Sequence, residues 1–203
     1  MKIYDLMPSV KDLIPYDYEH IRSEEYEKIV CDFLGKCPKE RFFEQVSGAP
    51  GAGKTTFCQK SINGCFLSFD KIMEDLPSYQ KDLIEYGSKK AFQNNEIVAR
   101  VIGYEILRRA VDSGCKLVLE HSGVNLAHLE LFCNLKKLKY KTRVDFVISD
   151  LKTLLERVKV REAITKRHTP KKMVEQRYAL VNEYIEKYRK IADEVKVYSS
   201  VDW

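Results

Sequence analysis

Gly48-Ala49-Pro50-Gly51-Ala52-Gly53-Lys54-Thr55, followed by Thr56, satisfies the pattern G-x-x-x-x-G-K-[ST] at every fixed position. A polyphosphate needs several donors converging on its oxygens. Small residues let backbone N–H groups close around such a ligand without Cβ clashes. In a loop of this kind Gly48 to Thr56 cradle the nucleotide, Lys54 reaches the β- and γ-phosphates, and the Thr55 hydroxyl holds Mg²⁺. The flanks agree. Residues 41–47 read as a strand, and Lys54 to Ile62 read as a helix whose N-terminus favours an anion.

Outward from the loop, strands and helices alternate. Towards the C-terminus, Gly64 to Phe69 form a second strand ending at Asp70. A Pro77-containing loop follows, then a helical region from Tyr79 to Val111, broken near Gly87 and stopped by Gly114. Lys116 to Glu120 are nearly all apolar, as a buried parallel strand should be. Leu126–Lys137 is a helix, Thr142–Ile148 a strand, and Leu151–Ile164 a helix. Pro170 opens another helix with Val174, Tyr178, Val181, Ile185 and Tyr188 on one face, and Val195–Tyr198 closes as a strand.

This order predicts an α/β protein of the P-loop kinase fold: a central, mostly parallel five-stranded sheet with helices on both faces. Before the loop, residues 1–22 read as irregular, and Ser23 caps an amphipathic helix bearing Tyr26, Ile29, Val30, Phe33 and Leu34. Residues 1–40 are therefore expected to form an N-terminal helical appendage on a single domain spanning 1–203.

The chain has 203 residues, 44% hydrophobic and 32% charged, which fits a soluble globular protein with an ample core. No apolar run reaches the roughly 18 residues a membrane span needs, and the N-terminus lacks the apolar core of a signal peptide. The six cysteines include no C-x-x-C pair. They read as thiols of a reducing cytoplasm rather than disulfides, and the four histidines lack metal-ligand spacing. Net charge is +5, unevenly spread: residues 136–190 hold 17 Lys/Arg against 7 Asp/Glu, leaving 18 against 23 elsewhere. Such asymmetry points to an anionic partner or to a solvated helix face.

In open α/β sheets ligands bind at the carboxyl ends of the strands. Asp70 ends the second strand, and Glu120 ends the third with Ser122 just beyond. A carboxylate beside a triphosphate repels it unless a metal or a hydroxyl lies between. Asp70 is the candidate general base for an acceptor hydroxyl, with an N-cap as its plain structural alternative. Glu120 binds either acceptor hydroxyls or a magnesium-bound water. Arg157 and Arg161 share a helix face, and Arg167 follows just before His168-Thr169-Pro170. Two helices carrying arginines around a short connection have the form of a mobile lid, here about residues 150–175. The N-K-x-D motif of a guanine-nucleotide switch is lacking, as is a D-x-x-G after the third strand, which ends Leu119-Glu120-His121-Ser122-Gly123.

From Phe42 to Tyr198 these motifs together resemble the bacterial zeta-toxin kinases, which phosphorylate the 3′-hydroxyl of UDP-N-acetylglucosamine. The similarity rests on the loop; on Ser68-Phe69-Asp70 with Pro77-Ser78-Tyr79; on Gly114 through the apolar strand to Glu120-His121-Ser122; and on Arg167-His168-Thr169-Pro170. The resemblance implies an ATP- and Mg²⁺-dependent kinase with Asp70 as base and Lys54 and Arg167 as phosphate ligands. Arg157 or Arg161 would be the earlier lid arginine, with Glu120 and Ser122 against the nucleotide sugar. Val124 stands where the family often has arginine. Tyr104 stands where it has an acidic residue, with Glu105 one step off as the substrate-binding candidate. In the family a small helical antitoxin covers the N-terminal segment, a part open to residues 1–40. Two other readings share the loop: a kinase of a polynucleotide 5′-hydroxyl or small metabolite, and a nucleotide-gated binding protein without catalysis.

Overall fold

The computed structural model describes residues 1–14, 23–61 and 65–200. Ile62, Gly64 and residues 15–22, assigned above to a helix end, a strand start and an irregular segment, lie outside the described residues. The strands are β1 (Phe42–Ser47), β2 (Cys65–Ser68), β3 (Leu117–Glu120), β4 (Lys141–Ile148) and β5 (Glu194–Ser199), all parallel in the order β2-β3-β1-β4-β5. β1 lies at the centre, so the loop that follows it emerges between the ends of β3 and β4.

Both faces of the sheet are covered, and alternation within each strand divides the core. Phe43, Leu119 and Phe146 are fully buried on one face; Val46, Val118 and Val147 are buried on the other. Each such side chain contributes about 1.5–3 kcal/mol by leaving water. Leu154 and Val158 of α7 (Leu151–Thr165) and Val174 of α8 (Lys171–Arg189) pack on the second face. On α8 the buried stripe runs through Val174, Val181, Tyr184, Ile185 and Tyr188. Tyr178, read as inward from the sequence, is 41% exposed.

The N-terminal segment is more ordered than its sequence implied. Ile3–Leu6 form a short helix α1, and Pro8–Asp12 form a 3₁₀ turn, both too short to show a helical period. Ile3, Leu6, Met7 and Val10 are fully buried in the main core, and the Ser9 N–H and hydroxyl both donate to the Glu130 carboxylate at 2.7 Å. Next comes α2 (Glu24–Leu34), where Ser23 Oγ accepts from the Tyr26 N–H as its cap position predicts. α3 (Lys54–Ser61) follows the phosphate loop. α4 (Phe69–Asp75) begins directly after β2, and Asp70 lies in its first turn. The second strand thus ends at Ser68 rather than at Asp70, and Asp70 lies inside a helix without capping it. α5 (Pro77–Asp112) breaks at Gly87, where φ is +76° in otherwise open space, as the glycine implied. α6 (Leu126–Lys137) joins β3 to β4.

Cys37 and Cys65 pair as a disulfide, contrary to the expectation of free thiols throughout. They are 28 residues apart, and only the placement of β2 at the sheet edge brings them together. Cys58 and Cys115 are buried free thiols as expected. Among the described residues no helix is long and apolar enough to cross a membrane.

Candidate active site

The loop between β1 and α3 has the backbone its glycines allow. Gly48, Gly51 and Gly53 all have positive φ. A Cβ at Gly48 would lie 2.2 Å from the Val147 carbonyl oxygen, and one at Gly51 would lie 2.6 Å from that of Leu154. The loop therefore rests directly on the end of β4 and the first turns of α7. The Lys54 ammonium donates to the carbonyls of Gly48 (3.0 Å) and Ala49 (3.2 Å). Burial lowers its pKa, while the nearby carboxylates of Glu120 and Asp70 favour its charged form.

Parallel pairing sets Glu120 beside Val46 of β1 on one side and Ser68 of β2 on the other. Glu120 is buried, and its Oε1 accepts from the Thr55 hydroxyl at 2.8 Å. The carboxylate is thereby joined to the hydroxyl read as the magnesium ligand. The residues fit a nucleotide with Mg²⁺: this metal keeps most of its waters and needs only one or two protein oxygens beside the phosphates.

Beside the loop opens a cleft of about 890 Å³ counting its mouth. Lys54, Asp70, Glu120, Ser122 and Arg161 line it. The lid arrives from the other side. Arg167 is mostly buried and pairs with Asp70 (Nη2–Oδ2 3.5 Å) and Glu74 (Nη1–Oε1 3.2 Å). Its burial lowers its pKa, but the two carboxylates outweigh that and the net shift is upward. Arg161 donates from Nη2 to the Thr169 hydroxyl at 2.6 Å, and its pKa is lowered by burial and by the like charge of Arg167. The buried Nε atoms of both arginines have no hydrogen-bond partner among the described residues. Two such donors beside a phosphate loop are what an equatorial phosphoryl oxygen requires. His168 and the Ser88 hydroxyl both meet Glu162, so the connection between α7 and α8 is docked on α5 as well as on α4.

The two arginines on α7 separate. Arg161 lines the cleft, while Arg157 donates to the Ser200 hydroxyl (2.9 Å) and carbonyl (3.4 Å) beyond β5. Glu105 is not brought to the site. It is buried on another face of α5, where Arg108 and Arg109 bond both its oxygens at 2.7–2.9 Å, and Arg109 continues to Glu27 of α2. Burial raises its pKa, but these hydrogen bonds lower it further and keep it ionised. The acidic residue that α5 does present to the cleft is Glu96, nine residues or about two and a half turns earlier and so on the opposite face.

Sequence reasoning also missed Arg100, His121 and Arg177, which line the same cleft. A signal for Arg177 was present: it falls in the α8 stripe, three residues after Val174 and four before Val181, where a charged side chain interrupts an apolar row. His121 stacks flat on buried His128, ring centroids 4.0 Å apart, and its Nδ1 accepts the Gly123 N–H. His128 contacts the Gln45 side-chain oxygen through Nδ1 (2.6 Å) and the Tyr104 hydroxyl through Nε2 (3.1 Å). Burial pushes its pKa down to about 3 and that of His121 well below the usual value, so both rings are neutral.

Sheet order, phosphate loop and lysine define a P-loop protein of kinase-like fold. The zeta toxin family model matches residues 41–202, and the chain belongs to that family. A structure from the PezAT chromosomal toxin–antitoxin system of Streptococcus pneumoniae is similar at 20% identity and TM-score 0.67, over 88% of this chain and 78% of that one. The AvrRxo1-ORF1:AvrRxo1-ORF2 complex with sulphate ions is similar at 13% identity and TM-score 0.66, over 86% of this chain and 62% of that one. Its complex with ATP gives 12% identity and TM-score 0.64, over 89% and 64%. The chain thus spans less than two thirds of the AvrRxo1 chains it matches. At these identities the likeness is one of fold. No curated protein matches the chain in sequence.

Proposed function

We propose that this chain transfers the γ-phosphoryl group of ATP to a hydroxyl of a small acceptor, most concretely the 3′-hydroxyl of UDP-N-acetylglucosamine. The observation that carries the reading is the position of Asp70. It is half exposed in the cleft, paired to a lid arginine, with the phosphate-loop lysine lining the same cleft. The Asp70 carboxylate takes the proton as the acceptor oxygen bonds to phosphorus and the bond to the β-phosphate oxygen breaks. Lys54, Arg161 and Arg167 hold the charge that spreads over the transferring oxygens. Mg²⁺, when bound at Thr55 with Glu120 behind it, supplies further neutralisation of the phosphates. Ser122 stands on the acceptor side, and residues 150–175 act as the lid.

The basic segment supports a small acceptor over a polynucleotide. Arg161 and Arg177 line the cleft and Arg167 pairs with Asp70 there, whereas Lys171, Lys187 and Arg189 pair with acids on the surface and Arg143 with buried Asp145. By analogy with the toxin–antitoxin origin of its structural relative, the exposed face of α2 is the place for a small helical partner. A panel of UDP-sugars with Mg·ATP, read by mass spectrometry, tests the acceptor. Phosphorylated UDP-N-acetylglucosamine is expected. ATP binding without product from any acceptor would instead favour a non-catalytic protein.

A further inference from the structure

Two guanidiniums in the cleft have no part in the transfer described above. Arg100 comes from α5 and Arg177 from α8, and they approach closely enough for each charge to act on the other. Each donates to a main-chain oxygen: Arg100 to Leu13 at 3.3 Å and Arg177 to Val124 at 3.1 Å. The carboxylate beside them is Glu96, one turn before Arg100 and paired with it. Among the described residues Arg177 has no ion-pair partner. Phe92 and Met173 line the same cleft, so this charge stands among apolar walls.

A brace for a carbonyl needs only one neutral donor. Two like charges held together in partial burial are unfavourable unless anions join them, and Glu96 pairs with Arg100 alone. Burial lowers the pKa of Arg177, and the charge of Arg100 lowers it further, as expected of a site short of negative charge. The guanidinium fork also matches phosphoryl or carboxylate oxygens in pairs.

We propose that Arg177 and Arg100 bind an anionic group of the acceptor, phosphoryl or carboxylate, at the end of the cleft formed by α5 and α8. The acceptor is then a hydroxyl compound that carries negative charge apart from its reacting hydroxyl. Identifying the ligand as the acceptor rests on the kinase reading; the anion site itself does not.

The test uses the whole chain saturated with Mg²⁺ and a β,γ-methylene ATP analogue, so that the phosphate loop is filled. Inorganic pyrophosphate and, separately, malonate are titrated calorimetrically into wild type, Arg177→Gln, Arg100→Gln and Arg177→Lys. One of the two anions is expected to bind wild type. Either glutamine variant should weaken it on the order of 10- to 100-fold, the worth of one charge-assisted pair. Arg177→Lys should recover part of the loss, and affinity for the ATP analogue should stay within about twofold. Pyrophosphate binding identifies a phosphoryl site, and malonate binding a carboxylate site. Equal binding by wild type and both glutamine variants, or no binding of either anion to wild type, overturns the proposal. With UDP-N-acetylglucosamine as acceptor, Arg177→Gln should raise KM and leave kcat nearly unchanged. Failure of that sugar nucleotide to react, with the titrations as expected, removes the acceptor reading and leaves the anion site standing.

Discussion

Replacing Glu44 by glutamine isolates one half-buried charge whose effect on stability can be worked out from its surroundings. Glu44 on β1 pairs in register with Arg143 of β4, and Asp145 lies two residues further along β4 on the same face. Burial, then the hydrogen bond and negative charge of Asp145, push the Glu44 pKa up to about 7 from 4.5. Arg143 cannot compensate fully, because it is bonded to Asp145 at 2.9–3.0 Å. The unfolded chain ionises Glu44 near its ordinary value, so between pH 4.5 and 7 the folded state holds the extra proton. Stability therefore falls as pH rises through this window. At roughly 1.4 kcal/mol per pKa unit the full shift is on the order of 3 kcal/mol, and solvent screening at a half-buried carboxyl reduces it to on the order of 1–2 kcal/mol. Urea unfolding of wild type and Glu44→Gln at pH 5, 7 and 8.5 measures it. The two proteins should be nearly equal at pH 5, and the variant more stable by that amount at pH 8.5. A stability difference that stays constant across the series would refute this electrostatic account.

Other predictions follow from the same geometry. Arg161→Met should lower kcat by on the order of 10³ or more, whereas Arg157→Met, whose side chain is spent on Ser200, should stay within about tenfold; steady-state kinetics of the pair decide. Gly48→Ala forces a Cβ against the Val147 carbonyl at a φ of +142°, so it should cost about 2–4 kcal/mol in denaturant unfolding and abolish nucleotide binding. The Tyr188 hydroxyl donates to the Gly123 carbonyl (2.9 Å) and accepts from the Gln45 amide (3.1 Å). Tyr188→Phe should therefore destabilise the fold by about 1–3 kcal/mol in urea titration, the penalty for leaving these buried groups unpaired.

The elements that the sequence made legible are those with strong periodic or steric signatures. The phosphate loop, the cap at Ser23, the break at Gly87 and the apolar run ending at Glu120 each follow from local physics, and each stands in the fold as read. What stayed hidden depends on three-dimensional placement. Glu105 and Glu96 lie on one helix, and only the rotation of α5 against α2 decides which faces the cleft. Arg157 and Arg161 share a helix face, yet only the end of β5 draws Arg157 away to Ser200. The Cys37–Cys65 bridge needs the position of an edge strand that no spacing discloses. Arg177 was within reach, since a lone arginine in an apolar stripe is costly unless it has a task.

In the proposed reaction Asp70 accepts the proton of the acceptor hydroxyl. Single-turnover phosphorylation of UDP-N-acetylglucosamine by wild type and Asp70→Asn, with Mg·ATP affinity measured in parallel, tests it most directly. The asparagine variant should transfer at a rate lowered by on the order of 10² to 10⁴, with ATP affinity within about threefold of wild type. Transfer by the asparagine variant at a rate comparable to wild type would contradict it.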